Sequence, residues 1–268
     1  MDDRIENANS QMEIIKSIVP ESLFNDPWLL FHGTSNLNKQ GIDDNGLQPN
    51  QSFFKKEELE KVVAIFDKLH WCGEHQGGFA VLKPFSLGHD FNQEEGKPIY
   101  LAESVLRASL YASKEFSGGE VCRALYYCFQ DLRNYIANEN TREMHHKQLN
   151  YDPAHLRVPL DSLPTLEWLI KAVEELEYLE SRVKNVRNNY EHGLIYAIRL
   201  NPKNISNVEY KRGGMGIKCF RAVNKCEIVD IFEIPATYEH ESQEDLQRRR
   251  ARLMDGIVST IRVASEIE

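Results

Sequence analysis

No stretch of this 268-residue chain approaches the roughly 18 to 20 consecutive apolar residues that a membrane-crossing helix needs. The opening residues, MDDRIENANSQME, lack the basic-then-apolar order of a signal peptide, so the expectation is a soluble protein not exported by the standard route. Cysteine is sparse and badly patterned for cross-linking. The five residues, Cys72, Cys122, Cys128, Cys219 and Cys226, form an odd set without a CxxC, which argues against a disulfide framework or a zinc site and for a reducing, cytoplasmic setting. Basic residues are in deficit, 32 against 41 acidic ones. The resulting net charge of −9 disfavours loose, charge-driven binding to nucleic acid, although a local basic patch would remain compatible with it. Internal repeats and low-complexity segments are also lacking.

What is present, 41% hydrophobic and 27% charged residues, is enough to bury a sizeable core in one decorated domain spanning residues 1–268. Helical spacing of apolar residues runs through 11–19 and through 55–70, where Leu59, Val62, Val63, Phe66 and Leu69 recur on one face. Between them a strand ends near Phe31, and a short helix and a glycine turn follow. FAVLKPF reads as a strand before a loop, and Ile99 to Leu101 as a short strand leading into a helix from about Ser104 to Phe116. A helical insertion is expected at about 120–190. Its first helix, about 119–137, carries the stripe Val121, Ala124, Leu125, Cys128, Phe129, Leu132 and Tyr135. Residues 138–160 read as irregular. A further helix, capped by Asp161 or Ser162, sets Leu169, Val173, Leu176, Val183 and Val186 along one face. Strands at Leu194 to Leu200, Ile217 to Val223 and Ile228 to Ile234 precede a C-terminal amphipathic helix at about 243–267. This order predicts an α+β domain with short strands around a cleft.

His32-Gly33-Thr34 puts an imidazole, a backbone free of Cβ and a hydroxyl within one turn, and glycine lets a ligand approach the main chain closely. Alone, the triplet fits a structural histidine better than a functional one, and Tyr100 and Tyr111 alone fit a core. Together they form a pattern. His32-Gly33-Thr34, then Ile42 and Gly46-Leu47, then Ile99-Tyr100-Leu101-Ala102 with Tyr111 eleven residues after Tyr100, resembles the His-Tyr-Glu class of ADP-ribosyltransferases, which includes diphtheria toxin and the poly(ADP-ribose) polymerases. The resemblance covers about 30 residues.

The resemblance implies a split β-sheet core around an NAD cleft, with NAD as substrate and no metal. It further implies that His32 hydrogen-bonds a ribose hydroxyl, that the Gly33 backbone pairs with the nicotinamide carboxamide, and that Thr34 belongs to the same NAD-binding turn. Tyr100 would sit beside the nicotinamide ribose and Tyr111 would stack on the cationic nicotinamide ring. The family reaction passes through an oxocarbenium-like transition state that a carboxylate stabilises. Two glutamates compete for that role. Glu209, in Asn207-Val208-Glu209-Tyr210, follows the strand LIYAIRL much as the family's third motif does, but Lys211-Arg212-Gly213-Gly214 replaces the usual apolar continuation. Glu227, in Lys225-Cys226-Glu227-Ile228-Val229, also precedes an apolar run.

The expected activity is transfer of one ADP-ribose unit to a macromolecular acceptor, protein or nucleic acid, in the manner of a bacterial toxin or effector. A toxin-like role would bring a neutralising antitoxin or immunity protein as a partner; a membrane is not among the expected partners. Two alternatives stay open. An RNA 2′-phosphotransferase shares the histidine-glycine block but normally adds arginines and a further histidine close behind it, where this chain continues GLQPNQSFFKKEELEK. An inactive NAD-binding interaction module is the other. His145-His146 has no companion ligand at metal spacing, GGMG at 213–216 lacks the strand-to-helix setting of a phosphate loop, and Arg248 to Arg250 with Arg252 reads as a solvated helix face.

Overall fold

A computed structural model describes residues 13–24, 26, 28–49, 53–71, 79, 82, 98–151, 160–201, 208–210 and 217–235. The GGMG turn, the arginine cluster and the C-terminal helix lie outside these residues, as does most of FAVLKPF. Its two described residues, Phe79 and Leu82, are helical rather than in the expected strand, buried in a helical core where Phe79 stacks on Phe66. The fold is α+β. Helical turns at 13–18 and Glu21–Phe24 lead into β1 (Leu30–Ser35), α1 (Lys39–Asn45), α2 (Lys56–Lys68), β2 (Ile99–Leu101) and α3 (Val105–Ala112). Four helices follow: α4 (Gly119–Ala137), α5 (Glu139–Tyr151), α6 (Leu166–Glu174) and α7 (Glu177–Asn188). The chain then returns to strands β3 (Gly193–Ile198), β4 (Val208–Tyr210), β5 (Ile217–Cys219) and β6 (Ile228–Ile234).

The strands form two small sheets, ordered β1-β3-β6 and β2-β5-β4, with every pairing antiparallel. Alternation along the strands divides their side chains between two cores. Phe31, Ile195 and Ala197 pack with Ala108 and Ala112 of α3 and with Ile15 and Val19. On the opposite face Leu194, Tyr196 and Ile198 meet Ile99, Leu101 and Cys219 of the second sheet, together with Ile42 and Leu47. The first sheet is thus sandwiched between α3 and the second sheet.

Contact between α3 and the first sheet is backbone to backbone. A Cβ added at Gly33 would lie 1.7 Å from the Ala108 carbonyl oxygen, and one at Gly193 would lie 2.1 Å from that of Ala112. Gly46 ends α1 at φ 72°, a left-handed conformation that glycine adopts without steric cost, and its carbonyl-side neighbour Leu47 bridges to Val223.

A third core is helical. Leu59, Val62, Val63 and Phe66 of α2 join Leu125, Cys128, Phe129 and Leu132 of α4, Leu169 and Val173 of α6 and Leu179 and Val183 of α7. The 120–190 segment therefore packs through its expected stripe, with Val121 only partly buried, and α2 belongs to the same body. Several local readings differ from the structure: β1 runs on through His32-Gly33-Thr34 to Ser35 instead of ending near Phe31, the helix after Ser104 stops at Ala112, the strand from Ile217 stops at Cys219, and two differences lie in the 120–190 segment. Residues 139–151 are helical, seated by the buried His145 and Leu149 on a largely polar helix and by Arg142, which donates 2.8 Å bonds to the Tyr135 and Ile136 carbonyls at the end of α4. Two buried positions four residues apart give too narrow a stripe to recognise by periodicity. The single expected helix after Ser162 is instead split into α6 and α7 around Glu175 and Leu176, and its cap is Thr165, whose hydroxyl accepts from the Trp168 amide at 3.2 Å.

Glu115, just beyond α3, fastens the helical body to the sheets. Its carboxylate accepts from Arg123 Nε and Nη2 at 2.9 and 2.6 Å, and its carbonyl accepts from Arg187 at 2.9 Å. No helix among the described residues is long and apolar enough to cross a membrane.

Candidate functional site

β1 and β2 touch through one bridge. The Phe31 and Ala102 amides donate to each other's carbonyls at 2.8 and 2.7 Å. Continued antiparallel pairing would next join Gly33 to Tyr100. Instead the His32 imidazole occupies that place, its Nδ1 donating to the Tyr100 carbonyl at 3.0 Å, and the two strands part. A carbonyl only accepts, so Nδ1 carries the proton, and burial lowers the His32 pKa below its ordinary value against the opposing effect of that bond. The neutral ring keeps its lone pair on Nε2, an acceptor suited to a hydroxyl.

The same alternation fixes the role of Gly33. Asn36 bonds toward β3 through the His192 carbonyl and Phe31 toward β2, so odd-numbered residues of β1 turn their amides and carbonyls away from β3. The Gly33 peptide groups accordingly face the opening between β1 and β2, while its Cα presses on α3. Among the described residues nothing pairs with this edge, so an amide-bearing ligand would find free partners there. Thr34 is occupied differently: its hydroxyl accepts from Asn38 Nδ2 at 2.7 Å and secures the turn into α1.

Tyr111 lies on the turn of α3 seated against Gly33, flanked by Ala108 and Ala112. Its half-buried ring meets Phe116 edge-on, centroids 5.1 Å apart, and burial raises its pKa, assisted by Glu120. The structure thus brings His32, Gly33 and Tyr100 together where the sheets part and carries Tyr111 on the helix behind Gly33.

The glutamates occupy different surroundings. Glu227 is buried, and its carboxylate accepts from Arg221 Nη1 and Nη2 at 2.7 and 2.6 Å and from the Asn201 and Asn224 amides at 2.7 and 3.0 Å. These bonds, Arg221 foremost, hold its pKa down to about 2. Such a carboxylate is committed to joining the end of β3 to the turn before β6. Glu209 lies at the centre of β4, opposite Lys218 of β5, which is itself opposite Tyr100 of β2. The register therefore strings Tyr100, Lys218 and Glu209 in one cross-strand row.

No family model, curated protein or solved structure matches the chain.

Lys218 is the residue that sequence reasoning passed over. It is buried, and its Nζ lies over the Tyr100 ring, 6.0 Å from the centroid. A signal was present, since Ile217-Lys218-Cys219 alternates apolar and charged in a short strand, but nothing in one sequence says which strand pairs with Tyr100.

Proposed function

We propose that the chain is an NAD-dependent ADP-ribosyltransferase whose cleft lies where β1 and β2 part. The observation that carries this reading is the His32 imidazole inserted between the strands. It offers a hydroxyl-accepting nitrogen on one side, and on the other the Gly33 peptide edge, which no described residue pairs with, could take a carboxamide. The motif spacing from His32 to Tyr111 supports the same assignment. Tyr100 would flank the nicotinamide ribose and Tyr111 would stack on nicotinamide. In the reaction the bond between ribose C1′ and the nicotinamide nitrogen breaks, its electron pair leaving with nicotinamide. An acceptor nucleophile then bonds to C1′ and releases a proton. Glu209 is the carboxylate assigned to stabilise the developing positive charge, because it shares the row of Tyr100 whereas Glu227 is engaged elsewhere.

Incubating the protein with labelled NAD and separate protein, RNA and DNA pools tests the activity, and the labelled pool identifies the acceptor. Glu209→Gln keeps size and hydrogen bonding but removes the charge, so transfer should fall about 10²-fold or more with NAD affinity nearly unchanged. Full transfer by Glu209→Gln would remove that residue from the mechanism. A second reading has its own observation. The buried ammonium of Lys218 beside Tyr100 opposes a growing positive charge on ribose, which favours an NAD-binding module without turnover. NAD binding without release of nicotinamide would select it.

A further inference from the structure

The helical body meets the proposed cleft through the first turn of α4. Beyond α3, the short helical turn Lys114–Phe116 leads into α4 through Gly118 and Gly119, both left-handed at φ 78° and 84°, a conformation that glycine adopts freely. The start of α4 then lies against Phe116: the Arg123 guanidinium is 4.5 Å from the centre of its ring, and the same ring meets Tyr111 edge-on at 5.1 Å. Glu120 precedes Arg123 by three residues and so shares its side of the helix. Its carboxylate is half-buried, and the lost hydration raises its pKa against the opposing charge of Arg123. The Arg123 guanidinium is itself given to Glu115, to which Nε and Nη2 donate at 2.9 and 2.6 Å. Tyr111 registers the carboxylate directly. After burial, Glu120 is the strongest single charge acting on its hydroxyl, ahead of Arg107, which approaches from one turn earlier on α3, and of Arg123. An aromatic ring with a half-buried carboxylate beside it attracts a cation, the ring through its quadrupole and the carboxylate through its charge.

We propose that Glu120 reads the positive charge of a nicotinamide ring stacked on Tyr111, so that the cleft selects oxidised NAD over its reduced form, whose ring is uncharged. The inference rests on the NAD-cleft reading above and adds to it a residue from the helical body and a discrimination. Cleavage of the bond to ribose also leaves nicotinamide neutral, so the attraction holds the substrate and lapses for the product. The charge that Glu120 answers is present on the ring before that bond breaks. Glu120 therefore contributes to binding the dinucleotide, whereas a carboxylate beside the ribose answers charge that develops only in the transition state.

Calorimetry on the full chain tests this with four probes: NAD, reduced NAD, nicotinamide methylated at the ring nitrogen, which is a cation, and neutral nicotinamide. Wild-type protein should bind each charged ring more tightly than its uncharged counterpart. Glu120→Gln should weaken NAD and the methylated cation about 10-fold and leave reduced NAD and nicotinamide within about twofold. Equal losses for NAD and reduced NAD would show that Glu120 merely seats α4, and would overturn the inference. Unchanged NAD affinity in a folded Glu120→Gln also overturns it and leaves the NAD reading standing. Binding of the methylated cation that depends on Glu120, without binding of NAD, supports the cation role and removes the NAD reading. Binding of none of the four removes both. Should Glu120→Gln not fold, Glu120→Asp, which withdraws the charge by one methylene, takes its place. A narrowed preference for charged rings in that variant supports the inference, and a preference equal to wild type overturns it.

Discussion

Glu227→Gln separates a carboxylate that holds the fold from one that does chemistry. In the native protein the carboxylate accepts four bonds, two from Arg221 and one each from the Asn201 and Asn224 amides, and its pKa drops from 4.5 to about 2. That gap corresponds to about 3 kcal/mol of preference for the ionised form in the folded state, and a discount for solvent screening leaves about 2 kcal/mol. Because folding depresses this pKa, the stabilisation is complete above pH 4.5 and is lost as the pH falls from 4.5 toward 2. Glutamine keeps the shape but removes the charge and turns an amide NH₂ toward groups that all donate. Urea unfolding at pH 7 should show the variant about 2 kcal/mol less stable, with the difference shrinking steadily below pH 4.5. A constant difference at all pH values would show that charge is not the source. Unchanged stability with loss of ADP-ribose transfer would refute the structural assignment and move the catalytic carboxylate to Glu227.

Three further outcomes are expected. Leu125, fully buried between α4 and the other helices, should cost about 2 to 5 kcal/mol when changed to Ala, read from the urea midpoint, and a cost under about 1 kcal/mol would mean that the helical core repacks freely. His145 stacks on Trp71 at 5.0 Å and meets Tyr135 edge-on at 5.5 Å, and burial, followed by the charges of His146 and His70, pushes its pKa from 6.5 down to about 4. Its neutral form is therefore favoured by folding, stability should fall as the pH drops from 6.5 to 4, and His145→Phe should flatten that segment of the stability curve. Gly33→Ala should lower the melting temperature sharply even though the added group is one methyl, because that methyl meets the Ala108 carbonyl; a wild-type melting temperature would show that α3 can move away.

Reading from sequence worked where one stripe or one turn decides the outcome. The α4 stripe and the Gly46 turn are of this kind, since each is set by residues within a few positions of one another. The helix at 139–151 was missed because its buried residues among those described are His145 and Leu149, and a histidine in a polar stretch gives no apolar signal. His32 and Tyr100 could be named from their motif, but the bond joining them spans 68 positions and depends on β2 leaving β1 after Ala102. Lys218 was invisible for the same reason: its neighbours in space, Tyr100 and Glu209, are set by strand register, which local pattern does not encode.

The contact of α3 with Gly33 and Gly193 has a mechanical consequence. Where a helix rests on side chains, a substitution at the interface can tilt or lift it by the length of a methylene, and a binding wall carried on that helix can be retuned. Here the helix carrying Tyr111 meets bare main chain at Gly33 and Gly193, beside the side-chain contacts of Ala108 and Ala112 with Phe31, Ile195 and Ala197. The gap between Tyr111 and the strand edge at Gly33 is thereby gauged by peptide geometry. In the proposed NAD cleft, adjustment to a different ligand would then fall to the side chains of the opposing strand β2 rather than to α3.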